Sequence, residues 1–428
     1  MESTNTPQDV LSRSLDFRTE DQELWWHDIA PLTNRLLDLV GCSTHDQYEH
    51  LCYIYRFVLP ALGLYPRPGL SQVTTAVPGG RSFELSVNYQ NGKSTLRYDF
   101  EPSSSLAGTS RDPYNQLMTP ELLSKMALGG ATIDSFWYHH FTNKLGLSKR
   151  DEAFLKDQET GLATTQYMVA WDLKQASNNP LKMYLFPLLK ARATGVPAGR
   201  LVMDAVASGS AEIKASPAFA MIEEYLTERG LLENVCILSW DCDDVASSRL
   251  KIYIADPEVT LERIVDMWTL GGRLSSSKSN QQGLEHLKKF WSRLRIPEGS
   301  RSTYELGQPE QSDGRSGLTF NWELKAGSAE PDPKLYVPCM GENDRELARG
   351  LSTYFNDLGW SDLAGSYESK ISSAFSHIDM EKSDRLISSI SFSYSEKKGP
   401  YMSVYYHSSF VYPWPGAREL EAGKLHSC

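Results

Sequence analysis

The chain has 428 residues, 40% of them hydrophobic and ten of them tryptophan, with a formal net charge of −11. That is ample for a sizeable core, and the acidic balance argues against nucleic acid or an anionic membrane as the main partner. Any polyanion must therefore bind in a locally basic pocket rather than on a basic surface.

Residues 1–18 carry no apolar run of the kind a signal peptide needs, and read as a flexible tail. From about Thr19 to Leu62 the pattern is helical, with Gly41 as a stop inside it. The apolar stretch LCYIYRFVLPALGLY is too short to cross a bilayer and contains Arg56. Six cysteines (Cys42, Cys52, Cys236, Cys242, Cys339, Cys428) form no CxxC and no zinc-type cluster, so they read as reduced thiols of a soluble, cytoplasmic protein.

A β-hairpin follows. SFELSVNYQ and KSTLRYDFEP alternate and are joined by Asn91-Gly92, the pair suited to a type I′ turn with positive φ at both positions. In that register Arg97 falls opposite Ser86, and Glu84 lies on the same face, diagonal to Arg97. Asp99 would then face Glu84 directly. Such a like-charge pair raises the pKa of one member, so a bulge that shifts the pairing is the expectation here.

Helix followed by two strands then recurs. Helical stretch 118–146 precedes strands near 162–172 and 181–187, and helices in 200–229 precede strands near 234–240 and 249–254. Helices in 259–269 and 281–295 precede strands near 317–324 and 333–338, and a helix near 342–359 precedes strands near 386–394 and 400–407. Segment 298–316 is polar and reads as a loop, and 413–428 as a loose C-terminal tail. Five helix-then-hairpin units give an α+β fold, a ten-stranded antiparallel β-barrel surrounded by helices, with residues 19–412 as one domain. Closure leaves no exposed edge, and ten strands leave a lumen wide enough for ligands.

The strands also carry a chemical pattern. In Arg249-Leu250-Lys251-Ile252-Tyr253 the odd positions share one face and the apolar pair takes the other. Lys182 and Tyr184 repeat this spacing in LKMYLF, and Lys334 and Tyr336 in PKLYVP. Taken singly, each is also what a solvated strand face looks like, and Glu84 with Arg97 is also what an exposed cross-strand salt bridge looks like. Together, cations with tyrosines beside them suit a ligand with a polyanionic head and a tail that becomes a carbocation, such as an allylic diphosphate.

At these residues the chain resembles the fungal aromatic prenyltransferases of the dimethylallyl tryptophan synthase type. FELSVNYQ with Arg97 and FEP is similar to that family's first hairpin; LKMYLFP, SRLKIYI and PKLYVPC resemble three further segments in the right order, and TEDQELWWHDIAPLTNRLLDLVG the opening helix. The likeness implies a transferase that moves a dimethylallyl group from dimethylallyl diphosphate to an indole. It implies that Glu84 contacts the indole N–H and accepts a proton, and that Arg97, Lys182, Arg249, Lys251 and Lys334 bind the diphosphate. Some family members have glutamine at the last of these positions. Tyr184, Tyr253, Tyr336, Tyr394 and Tyr405 would shield the allyl cation, with Tyr401 and Tyr406 competing for the last two places and Lys397 or Lys398 near the last turn. Neither a metal site nor another cofactor is implied: DDxxD is absent, Asp241, Asp243 and Asp244 in SWDCDD read as a polar turn, and His139-His140 lacks a third ligand. The hairpin is most similar to members acting on tryptophan-containing cyclic dipeptides, followed by free tryptophan and indole diterpenes. A phenolic or quinone acceptor, or a barrel that only binds an isoprenoid diphosphate, are the rival readings; a homodimer is left open.

Overall fold

The computed structural model describes residues 5–67, 82–158, 160–173, 181–301 and 315–409. The first hairpin is built as its turn chemistry dictates. Strands β1 (Phe83–Gln90) and β2 (Lys93–Phe100) meet at Asn91 and Gly92, whose φ values of 52° and 72° give the left-handed turn that Asn-Gly favours. Gln90 pairs with Lys93, Ser86 with Arg97 and Glu84 with Asp99, in unbroken register. The expected bulge is therefore absent from this hairpin, and the two carboxylates do face each other.

Eight further strands complete the wall: β3 (Tyr167–Leu173), β4 (Lys182–Leu185), β5 (Val235–Asp241), β6 (Leu250–Asp256), and, beyond a two-stranded clip of β7 (Glu258–Val259) and β8 (Gly299–Ser300), β9 (Leu318–Leu324), β10 (Asp332–Pro338), β11 (Ile387–Ser395) and β12 (Gly399–Tyr406). The ten long strands form one closed barrel, each paired antiparallel with its neighbour in sequence, and β12 closes on β1. The fold read from the sequence, ten antiparallel strands within a ring of helices, is the fold observed.

The hydrophobic core does not fill the barrel. It lies between the wall and the helices outside it. Leu250, Ile252 and Ile254 of β6, Phe320 and Trp322 of β9, and Leu335 and Val337 of β10 are sealed completely, and all point outward. Trp322 anchors this layer by donating its indole N–H to the carbonyl of Met267, 3.2 Å away, in helix Leu261–Trp268. The alternate, inward residues of the same strands are polar and several keep partial exposure, Lys251, Glu323, Lys334 and Tyr336 among them. Period-2 alternation thus separates a dry outer face from a charged lumen.

Several segments differ from the sequence reading, among them short helices at Lys149–Leu155 and Leu188–Thr194. Residues Pro7–Ser14, expected within a flexible tail, form a helix with Thr6 and Asp9 as a reciprocal capping box. It is tied to helix Glu20–Leu39, since the indole N–H of Trp26 donates to Ser12 Oγ at 2.8 Å. Helix Ser361–Ala374 was not anticipated; it packs beside helix Asp344–Asp357 and buries Tyr367 and Ile371. Residues 413–428, the expected C-terminal tail, lie outside the described residues.

Candidate active site

Cations gather at the end of the lumen where β1 turns into β2. Arg97 sits opposite Asp172 of β3, and its Nε donates to Asp172 Oδ1 at 2.5 Å. Lys182 of β4 bonds the other oxygen of the same carboxylate. On the facing wall Arg249, just ahead of β6, bonds Asp241 at 2.5 Å and lies 3.7 Å from Glu323, which also holds Lys251 at 3.5 Å. Lys334 of β10 has aromatic neighbours: its Nζ lies 5.1 Å from the Tyr336 ring centroid and 5.0 Å from that of Tyr401. All five cations anticipated from the sequence therefore face one space.

Their carboxylate partners were missed. Asp172 and Glu323 drew no comment in the sequence, and Asp241, read as part of a polar turn, is an inward residue of β5 paired with Arg249. Burial would raise the Asp172 carboxyl, but Arg97 and Lys182 outweigh it and hold it well below the usual range. Glu323 is likewise brought down to about 2, its burial overridden by Lys251 and Arg249. Burial, and then Arg97, pushes Lys182 down to about 8. Lys334 is driven well below its ordinary value by burial and by Arg97, Lys251 and Lys182 around it. This end stores cationic charge at close quarters, short of an anion to share.

Next comes an arc of phenol rings. Tyr184, Tyr253, Tyr336 and Tyr405, on β4, β6, β10 and β12, follow one another with centroids 6.2, 5.9 and 6.0 Å apart. Tyr401 adds a ring nearer the cations, accepting from Arg97 Nη2 at 3.3 Å. Tyr394 is a correction. It points outward, stacks on His286 at 5.4 Å and donates to Gln282, and a Cβ built at Gly283 would come within 3.0 Å of its own Cβ. Tyr406 also faces outward, bonded to Tyr367 at 3.1 Å. The signal was in the strand: Ile390, Phe392 and Tyr394 form the apolar alternate of Ser389, Ser391 and Ser393. Lys397 and Lys398 are both exposed at the β11–β12 turn.

Carboxyls mark the other end. Glu84, one step in from the start of β1, accepts from Ser388 Oγ at 3.2 Å. β11 carries a bulge of its own, where the pairing slips between Ile387 and Ser389, and the extra residue is Ser388. Bulges re-aim side chains in this way. Burial first, and Asp99 second, push Glu84 from 4.5 up to about 8. Asp99 is itself raised to about 6 by burial, with Arg97 and Lys182 pulling the other way.

The arrangement can clamp an anion at one end, surround a cation with ring faces in the middle, and take a proton at the other. Among the described residues no three His, Cys, Asp or Glu side chains are grouped to hold a metal, and no helix is long and apolar enough to cross a membrane. His140 bonds the Ala205 carbonyl at 2.8 Å and stacks on Phe136, as a packed helix residue.

Comparison with known proteins places the chain in a family. The family model described as tryptophan dimethylallyltransferase matches residues 21–370. Echinulin prenyltransferase 1 of Aspergillus ruber (strain CBS 135680) is 37% identical over 415 residues, covering 95% of this chain and 98% of that protein. Deoxybrevianamide E synthase of Aspergillus versicolor is 35% identical over 417 residues, covering 96% and 95%. Among solved structures, NotF in complex with brevianamide F and DMSPP superposes with a TM-score of 0.85 at 33% identity, over 96% of this chain and 100% of that one. The chain is a prenyltransferase and belongs to the tryptophan dimethylallyltransferase family.

Proposed function

We propose that this enzyme transfers a dimethylallyl group from dimethylallyl diphosphate to an indole acceptor, without a metal ion. The observation that carries this reading is the division of one lumen into a five-cation end, a tyrosine arc and a carboxyl end. Cleaving the allylic C–O bond places negative charge on the leaving diphosphate. Each cation about 4 Å from it offers about 4 kcal/mol at an effective dielectric near 20, before desolvation. Arg97, Lys182, Arg249, Lys251 and Lys334, set in place beforehand, are the donors for that growing charge. They supply what magnesium supplies elsewhere.

The allyl cation then lies against Tyr184, Tyr253, Tyr336 and Tyr405. Ring faces stabilise a cation by roughly 0.5–2 kcal/mol each and keep water from quenching it to an alcohol. At the far end Glu84 takes the acceptor N–H, polarises the ring toward attack and receives a proton. That NotF, of the same fold, is solved in complex with brevianamide F and DMSPP supports this reading. A tryptophan-containing cyclic dipeptide is the acceptor we rank first, on the hairpin around Glu84, followed by tryptophan and indole diterpenes.

The test is an incubation in EDTA of dimethylallyl diphosphate with cyclic dipeptides, tryptophan, indole diterpenes and phenols, read by mass spectrometry. One C5H8 unit gained on an indole is expected. Product on phenols alone would move the reading to a phenolic acceptor. Donor binding without product on any acceptor would leave a binding protein.

A further inference from the structure

Asp99 is a lumen carboxylate to which the proposed reaction gives no part. It is 2% exposed, and its Oδ2 is buried without a hydrogen-bond partner. It stands directly opposite Glu84 across the β1–β2 ladder. Residues so paired have Cβ atoms about 4.5–5.5 Å apart. Both carboxyls point into the lumen, since Asp99 shares its strand face with Arg97, and Glu84 shares its face with Ser86, Arg97's partner, and reaches Ser388 two strands along the wall.

The surroundings separate the two. Arg97, Lys182 and Lys334 act on Asp99 and favour its charge, while Asp172 opposes it. Among the described residues, the charged groups that act on Glu84 are Asp99 and Glu101, both of the same sign. The phenols of Tyr184, Tyr253 and Tyr405 close the space around Asp99 and bring no charge at neutral pH. Two carboxyls at this range, in low dielectric, cannot both ionise without cost, and they titrate as a pair.

We infer that Glu84 and Asp99 work as one acid pair holding a single proton between them, with Asp99 a positioning residue that sets the form in which Glu84 meets the acceptor. When the alkylated ring loses its proton, the C–H bond breaks and its electron pair returns to the ring. The proton passes to a carboxylate oxygen of the pair, and one proton leaves to water after product release. The last step rests on the proposed transfer reaction; the sharing of a proton in the empty enzyme does not.

Infrared titration of the protonated-carboxyl band in the ligand-free protein tests the pair without turnover. In the wild type the band persists to neutral pH. Asp99→Asn, which keeps the side chain's shape, is expected to move its midpoint acid by about one pH unit or more. Glu84→Gln reports the coupling from the other side and is expected to abolish the band at pH 7. The alkaline-activated limb of kcat/KM for prenyl transfer is expected to shift acid in Asp99→Asn by the same amount, which a merely structural role for Asp99 would not do. A midpoint and a limb unmoved by Asp99→Asn would overturn the pair. A wild-type enzyme that transfers nothing, while its band titrates as described, would overturn the transfer reading alone.

Discussion

The two ends of the lumen are built from the same alternation and differ in how their charges are satisfied. At the cation end Arg97, Lys182, Arg249 and Lys251 lie beside Asp172, Asp241 or Glu323, while Lys334 lies over tyrosine rings, so the cations outnumber the carboxylates they share. At the carboxyl end Glu84 and Asp99 face each other, with the Ser388 hydroxyl bonded to Glu84 and Glu101 acting on it as a further like charge. The cations hold Asp172 and Glu323 ionised well into acid, whereas Glu84 and Asp99, like charges in a dry site, are poised to gain or lose a proton. The first suits a fixed electrostatic clamp and the second suits acid–base work.

Breaking either end should stop transfer, by different amounts. Glu84→Gln keeps the shape and removes the base; we expect kcat to fall by roughly 10²–10⁴-fold, the usual range for general acid–base catalysis, measured with the best indole acceptor. Arg97→Ala removes one cation and leaves Asp172 with Lys182 alone. A loss of about 10²–10³-fold in kcat is expected, as for deletion of one preorganised donor, with a weaker donor Kd by calorimetry.

The ends should also titrate in opposite senses. Glu323 is lowered from 4.5 to about 2, so its stabilisation is present above pH 4.5 and is lost as pH falls toward 2. Glu84 is raised from 4.5 to about 8, so the native state binds the extra proton, and stability declines as pH rises through that window. Thermal midpoints should therefore show Glu84→Gln gaining on the wild type from pH 5 to pH 8. Glu323→Gln should be destabilised near neutrality, with the deficit shrinking toward pH 2. The smallest effect belongs to Tyr394→Phe. Its hydroxyl reaches Gln282 on the outer helix, so kcat and KM should stay close to wild type, whereas Tyr401→Phe, at Arg97, should weaken donor binding.

The outer half of this architecture was legible because it depends on local rules. Asn91-Gly92 sets the first hairpin's register, and apolar alternation in LKIYI or LTFNWEL assigns the buried face without knowing what covers it. The inward cations were legible for the same reason. Their partners were not, because Arg97–Asp172 and Lys251–Glu323 are set by which strands become neighbours, in pairs 75 and 72 residues apart. Ser388 depends on one bulged residue in β11, which no pattern in that strand announces. The Glu84–Asp99 pair runs against the rule that directly opposed like charges destabilise a ladder. In a site that handles protons, that conflict is a working part.

The most direct test of a two-ended lumen is to measure diphosphate release and prenylated product side by side in Glu84→Gln and Arg97→Ala, in EDTA, with acceptor present. The account predicts that Glu84→Gln still cleaves the donor, shedding dimethylallyl alcohol in place of prenylated indole, while Arg97→Ala loses cleavage and transfer together. Equal loss of cleavage in both variants would contradict it, since donor ionisation would then depend on the carboxyl end as much as on the clamp.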